Sequence, residues 1–276
     1  MIKLENVDYV YSPGTPFETK ALDGINLEVN KCEILGIIGH TGSGKSTLVQ
    51  LFNALLIPTA GTVTVNGRDT SNKKQPRKDI RADVGMVFQY PEHQIFEETI
   101  FDEIAFGPKN LGLVGDDLQS RVDWAMELVD MSPEEKEGSP FELSGGQKRR
   151  VAIAGVLAMC PKVLVLDEPT AGLDPKGRRK LLDLIVKMHQ KNNLTIVLVS
   201  HSMEDIAKIA KRIVVMHKGK IAMEGIPRDV YGKREELEKM GLDTPEIARL
   251  MYKFGGYECY TVAEAKEIIE ARVSKC

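Results

Sequence analysis

Gly39-His40-Thr41-Gly42-Ser43-Gly44-Lys45-Ser46-Thr47 fits the pattern G-x4-G-K-[ST], in which backbone N–H groups cradle the phosphates of a nucleoside triphosphate. A triphosphate presents several negative oxygens that must be held without water. Gly42 and Gly44 let the chain curl around them at the positive end of a following helix. Lys45 is placed to bridge the β- and γ-phosphates, Ser46 to ligate Mg²⁺, and Thr47 to add an α-phosphate contact. Gly39, Thr41 and Ser43 complete the binding loop, while His40 fills a variable position with no catalytic role.

Two further segments carry chemistry. Val163-Leu164-Val165-Leu166-Asp167-Glu168 is an apolar strand ending in paired carboxylates. Asp167 can support Mg²⁺ directly or through its water; Glu168, one residue on, is placed to polarise an attacking water. About twenty residues earlier stands Leu143-Ser144-Gly145-Gly146-Gln147. Ser144 and Gly146 begin a helix whose free N–H groups make a second anion site. One chain does not need two such sites for one γ-phosphate.

The elements that must position these residues alternate. Ile2 to Tyr11 reads as an edge strand, followed by strands at Ala21 to Val29 and Glu33 to Ile38, the last apolar enough for a buried parallel sheet. A helix leaves the phosphate loop with Leu48, Leu51, Phe52 and Leu55 on one face. Thr62 to Val65 runs into an Asn66-Gly67 turn, and Val84 to Phe88 is a further strand. From Tyr90 to about Met131 the pattern is helical, with Trp124 as core packing, and the Ser144 helix runs to about Met159. After the Asp167 strand come a helix at Lys176 to Gln190, a strand at Leu194 to Val199, a helix at Met203 to Lys211 and two short strands. Such alternation predicts a mostly parallel α/β core, with 90–160 inserted as a helical subdomain. Beyond residue 225 the pattern is a small helical C-terminal domain, 226–276. Thr244-Pro245 suits a helix start, and Thr261-x-x-Glu264 is a capping box.

A net charge of -3 argues against a nucleic-acid partner. Of two basic clusters, Lys73-Lys74 through Arg77, Lys78 and Arg81 reads as a solvated loop, and Lys148-Arg149-Arg150 as helix surface near the nucleotide. No apolar run approaches the roughly 18 residues of a spanning helix, and the N-terminus lacks a signal peptide's apolar stretch. A membrane role is therefore peripheral. Cys32, Cys160, Cys259 and Cys276 are scattered and read as free thiols.

Together the phosphate loop, the Leu143 to Gln147 signature and the Asp167-Glu168 strand end resemble the ATP-binding cassette (ABC) ATPase family, over roughly residues 1–225. The resemblance implies an α/β P-loop NTPase core with a mostly parallel sheet, an antiparallel β edge and the helical insert. It implies an enzyme that hydrolyses ATP with Mg²⁺. It also assigns roles. Gln89 matches the Q-loop residue that senses Mg²⁺ and the attacking water, His201 the switch histidine at the γ-phosphate, and Asp174 belongs to the D-loop. Tyr11 matches the residue that stacks on adenine, with Tyr9 as the alternative. Ser144, Gly145, Gly146 and Gln147 form the signature, which in this family closes over ATP bound to a partner subunit.

Tyr90-Pro91-Glu92-His93-Gln94-Ile95-Phe96-Glu97-Glu98-Thr99, with Phe106-Gly107-Pro108, resembles the ATPases of energy-coupling factor (ECF) transporters, especially the second, A-prime type. In that family two ABC ATPases pair, like or unlike, on the cytoplasmic face of the cell membrane. They dock on a transmembrane coupling subunit and drive uptake of vitamins or transition-metal ions captured by small substrate-binding membrane proteins. The rival readings are the ATPase of a conventional importer or exporter, and a non-transport ABC protein acting on DNA or ribosomes. The latter usually carries coiled-coil insertions or two cassettes, and this chain has neither.

Overall fold

The computed structural model describes residues 1–72 and 76–273. The chain opens with β1 (Ile2–Tyr11), β2 (Thr19–Val29), β3 (Ile34–Ile38), α1 (Lys45–Phe52), β4 (Ala60–Val65), β5 (Arg68–Asp69), α2 (Arg77–Asp83) and β6 (Val84–Val87). An inserted helical stretch follows: a 3-10 turn at Pro91–Gln94, α3 (Ile100–Leu111), α4 (Gly115–Leu128), 3-10 turns at Pro133–Glu137 and Pro140–Glu142, then α5 (Gly145–Leu157). The chain returns through β7 (Val163–Asp167), α6 (Pro175–Asn192), β8 (Thr195–Val199), α7 (Met203–Ile209), β9 (Arg212–His217) and β10 (Lys220–Gly225). It closes with α8 (Pro227–Tyr231), α9 (Arg234–Lys239), α10 (Glu246–Gly255) and α11 (Val262–Val273).

Among the described residues the strands form two sheets, ordered β2-β1-β4-β5 and β10-β9-β3-β8-β7-β6. The first is antiparallel. In the second, β9, β3, β8, β7 and β6 are mutually parallel, and only β10 runs against its neighbour. The interiors of the parallel strands are apolar because both faces are covered, with polar residues only at strand ends such as Asp167, Thr195, Arg212 and His217. Along β3, Ile34 and Ile38 face one core, which includes α5 and α6, while Leu35 and Ile37 face the other, shared with α1 and the antiparallel sheet. The same alternation separates Leu164 and Leu166 from Val163 and Val165 on β7. The carboxyl ends of β3, β7 and β8 therefore come together, which is where ligands bind in open parallel sheets.

Several sequence expectations need correction. Ile2–Tyr11 is not an edge strand: β2 pairs on one side of it and β4 on the other. The helix after the phosphate loop stops at Phe52, because Ala54 turns left-handed and Asn53 Oδ1 accepts from Leu55 N–H; Leu55 is exposed. The helical pattern after Tyr90 is broken at Gly112, which ends α3 in left-handed geometry; Trp124 packs half-buried against the larger core. Arg77, Lys78 and Arg81 are exposed on helix α2 rather than in a loop; Lys73 and Lys74 lie outside the described residues. Arg149, read as helix surface, is buried. Thr244 does not cap α10. Pro245 takes the cap position, and Glu204, distant in sequence, accepts from the Glu246 N–H that such a cap would serve. The Thr261–Glu264 box forms in both directions. Cys32, Cys160 and Cys259 are free thiols, and Cys276 lies outside the described residues. No described helix is long and apolar enough to cross a membrane.

The C-terminal helices are held in two ways. Val230, Tyr231, Leu237 and Leu242 join the larger core, whereas Met251, Cys259 and Ala265 form a small cluster of their own.

Candidate active site

A cavity of about 810 Å³ opens at the carboxyl end of the parallel sheet, within the size range of small-molecule sites. The phosphate loop leaves β3 and enters α1 here, so Gly39, Thr41, Gly42, Gly44, Lys45, Ser46 and Thr47 line it. Gly42 holds φ +78° and Gly44 φ +102°, conformations glycine adopts without strain. At Gly44 a Cβ would also stand 2.7 Å from the Ala21 carbonyl oxygen. Lys45 Nζ donates to the carbonyls of Gly39 at 2.7 Å and His40 at 3.0 Å, arched back over its own loop. Burial pulls its pKa down, opposed by the charges of Glu168 and Asp167. Ser43 is buried beneath the loop, with its Oγ unpartnered.

Asp167 ends β7 and Glu168 follows it, both lining the cavity. Burial raises both carboxyls above their ordinary range. Ser46 hydrogen-bonds Asp167 and Lys45 faces it, both opposing that rise. Glu168 has φ +51°, a left-handed backbone uncommon outside glycine. Its Oε2 lies 2.8 Å from His201 Nδ1, a contact that opposes the rise. His201 follows β8 and is largely exposed; Gln89 follows β6, and both line the cavity.

The Ser46 hydroxyl and Asp167 carboxylate are hard oxygen donors held side by side, which suits Mg²⁺, an ion that takes few protein ligands and keeps the rest for water and phosphate. The N–H-lined loop beside an arched lysine suits a triphosphate. Glu168, lifted in pKa by burial and held against His201 at the cavity wall, suits a group that accepts a proton from water.

Other expected residues lie elsewhere. Ser144 caps α5, with its N–H donating to Gln147 Oε1 at 3.1 Å and its Oγ to the same oxygen at 2.7 Å. A Cβ at Gly145 or Gly146 would meet open space. None of Ser144 to Gln147 lines the phosphate cavity. Asp174 caps α6 by accepting from Gly177 N–H at 2.8 Å and is likewise outside the cavity. Tyr11 lies just off it: its hydroxyl shares a 3.1 Å hydrogen bond with Thr47 Oγ1, and its ring meets Tyr9 edge-on at 4.8 Å. Sequence reasoning missed Met203, Gly241, Leu242 and Asp243, which also line the cavity. No motif marks them; Gly241 is legible only as a break between helices.

This fold and site define a cassette-type nucleotide triphosphatase, and comparison with known proteins places it further. The ABC transporter family pattern matches residues 22–171. The energy-coupling factor transporter ATP-binding protein EcfA2 of Caldanaerobacter subterraneus subsp. tengcongensis is 56% identical over 274 residues, 97% of this chain and 96% of its own. The EcfA2 of Clostridium tetani is 52% identical over 96% of this chain and 95% of its own. Among solved structures, cbiO1 from Clostridium perfringens, part of the ABC transporter complex cbiONQ, is 37% identical with TM-score 0.78, covering 91% of this chain and 98% of that one. The dimeric cassette MJ0796 bound to ADP and Pi is 30% identical with TM-score 0.72, covering 83% of this chain and 99% of that one. The chain belongs to the ABC transporter family and, within it, to the ATP-binding proteins of energy-coupling factor transporters. It is an ATPase whose hydrolysis is coupled to transport.

Proposed function

We propose that this chain hydrolyses ATP as one of two cassette ATPases on the cytoplasmic face of an energy-coupling factor importer, with two ATP molecules sandwiched between the two chains. The observation that carries this is a division of anion sites. One cavity gathers Lys45, Ser46, Asp167, Glu168, Gln89 and His201, while the Ser144 helix start points outside it. A signature that cannot serve its own γ-phosphate is suited to a partner's, as is Asp174 at the start of α6.

In this reading the loop N–H groups and Lys45 hold the triphosphate, and Tyr11 meets the adenine. Ser46 and Asp167 hold Mg²⁺, with Gln89 sensing it. When bound, Mg²⁺ neutralises charge on the β- and γ-phosphates. Glu168 accepts the proton of the attacking water; His201 holds Glu168 and the γ-phosphate in line. Loss of the bridging phosphate lets the pair open, a rigid-body switch.

The reading divides the chain into a nucleotide-binding unit at 1–225, with a helical subdomain at about 90–160, and a C-terminal helical unit at 226–276. A groove of about 600 Å³ beside the Gln89 segment includes Pro91, Gln94, Phe96, Phe106 and Met159. Phe96 and Phe106 are exposed and meet edge-on at 5.1 Å. Mainly apolar, and lined by residues on both sides of Gln89 in sequence, it is the surface we assign to the transmembrane coupling subunit. The cargo, vitamins or transition-metal ions, is captured by small membrane binders and does not touch this chain. The test is a mild-detergent pull-down of the tagged chain from its native membranes. A second cassette ATPase, one coupling membrane protein and small membrane binders are expected. A conventional permease with a solute-binding protein would overturn the transporter class, and ribosomes or DNA alone would overturn transport.

A further inference from the structure

Arg149 stands just past the first turn of α5 and is almost fully buried, at 2% exposure. Its guanidinium makes four hydrogen bonds to two segments far away in sequence. Nη1 donates to the carbonyls of Pro169 at 2.7 Å and Ala171 at 2.9 Å. Nε and Nη2 grip the Glu92 carboxylate at 3.0 and 2.6 Å, a bidentate pair that lysine cannot reproduce. Each partner belongs to a functional segment. Pro169 and Ala171 form the turn behind Glu168, and Ala171 N–H donates to the Glu168 carbonyl at 3.1 Å. That turn holds Glu168 in its left-handed backbone, which persists only where the surroundings over-determine it. Glu92 sits in the 3-10 turn three residues after Gln89.

We propose that Arg149 is a positioning residue for hydrolysis: it fixes the turn that presents Glu168 and, through Glu92, locks the segment after Gln89 and the signature helix to that turn as one body. The geometry is a hub. The same side chain that satisfies the carbonyls behind the base also rides on the helix whose first residues form the outward anion site. A shift of the Gln89 segment therefore reaches Glu168 and Ser144 together. This rests on the two-chain ATP reading above, because only there does Ser144 bear on turnover.

The experiment compares Arg149→Lys and Glu92→Gln with the unaltered chain, each assembled in its membrane complex. It measures kcat and KM for ATP there, and fluorescent-nucleotide affinity and melting temperature on the isolated full chain. Arg149→Lys is expected to lower kcat by about 10- to 100-fold, the scale of small misplacements at a reacting centre, with Glu92→Gln intermediate. KM and nucleotide affinity should stay within about twofold, the signature of an interaction made only in the transition state. Unchanged kcat in Glu92→Gln, which keeps the side-chain volume and one acceptor, overturns the proposal even if Arg149→Lys does not fold. So does a fall of affinity and melting temperature in step with kcat, which marks a purely structural pair. Ser144→Arg is the control. If it leaves turnover intact, the two-chain reading fails; if it abolishes turnover while both pair variants are normal, only the Arg149 hub fails.

Discussion

Glu168 carries opposing demands on a single side chain. It must be ionised to accept a proton, yet burial beside Asp167 favours the neutral form and lifts its pKa. Glu168→Gln should keep ATP binding and slow turnover by about 10²- to 10⁴-fold, the range of positioned acid–base groups; near-normal phosphate release would remove Glu168 from the base role. The raised pKa also has a stability consequence in the nucleotide-free chain. The folded state holds this proton more tightly than the unfolded chain, so the associated stability is present at acid pH and is lost as pH rises through the raised value. Glu168→Gln escapes that loss. It should melt above the unaltered chain at pH 7.5, and the difference should shrink as pH falls to where the carboxyl is protonated in both the folded and the unfolded chain. A difference independent of pH would refute the assignment.

At the scale of elements, the signature helix and the C-terminal helices do what isolated residues cannot. The capping box at the start of α5 uses Gln147 to satisfy Ser144, while the glycines beside it leave the helix end open. Ser144→Arg should place a bulky cation in that opening, abolish turnover of the assembled pair and leave ATP affinity of the isolated chain within about threefold, a shift under 1 kcal/mol. Collapse of binding in the isolated chain would leave the in-trans role unsupported. α10 presents Leu250 and Phe254 four residues apart, on one face and both exposed. If the C-terminal unit adds contact between paired ATPases, Leu250→Ser with Phe254→Ser should weaken pairing by about tenfold or more, equivalent to about 1.4 kcal/mol, without lowering the melting temperature. An unchanged dimerisation constant in sedimentation would count against it.

Across the whole molecule, the tail is coupled to the nucleotide cavity rather than appended to it. Tyr231 donates to the Met203 carbonyl at 3.1 Å, Glu204 accepts from Glu246 N–H, and Gly241 to Asp243 line the cavity beside His201. Leu237 is fully buried in the larger core, so Leu237→Ala should cost about 2–5 kcal/mol and lower the melting temperature of the complete chain, not of the tail alone. A separate early melting step for the tail, with the main transition unmoved, would contradict this coupling.

The phosphate loop, the Asp167-Glu168 strand end and the Ser144 helix start were legible in the amino-acid sequence because each is local. A loop that must wrap phosphates needs glycines at fixed intervals, a helix start needs its cap, and a strand buried on both faces is apolar along its interior. Those three segments and the alternation around them also carried the fold class. Tertiary structure decided what no local pattern encodes. Hydrogen bonds on both sides put Ile2–Tyr11 inside its sheet rather than at an edge. Arg149, indistinguishable in sequence from its half-buried neighbours Lys148 and Arg150, is buried because Glu92, Pro169 and Ala171 supply acceptors from 57, 20 and 22 residues away. The Glu246 N–H finds its acceptor in Glu204, and Gly241 to Asp243 reach the cavity because the folded core draws Leu242 inward. A charge is buried only where its counter-charge arrives, and that arrival is a property of the assembled chain.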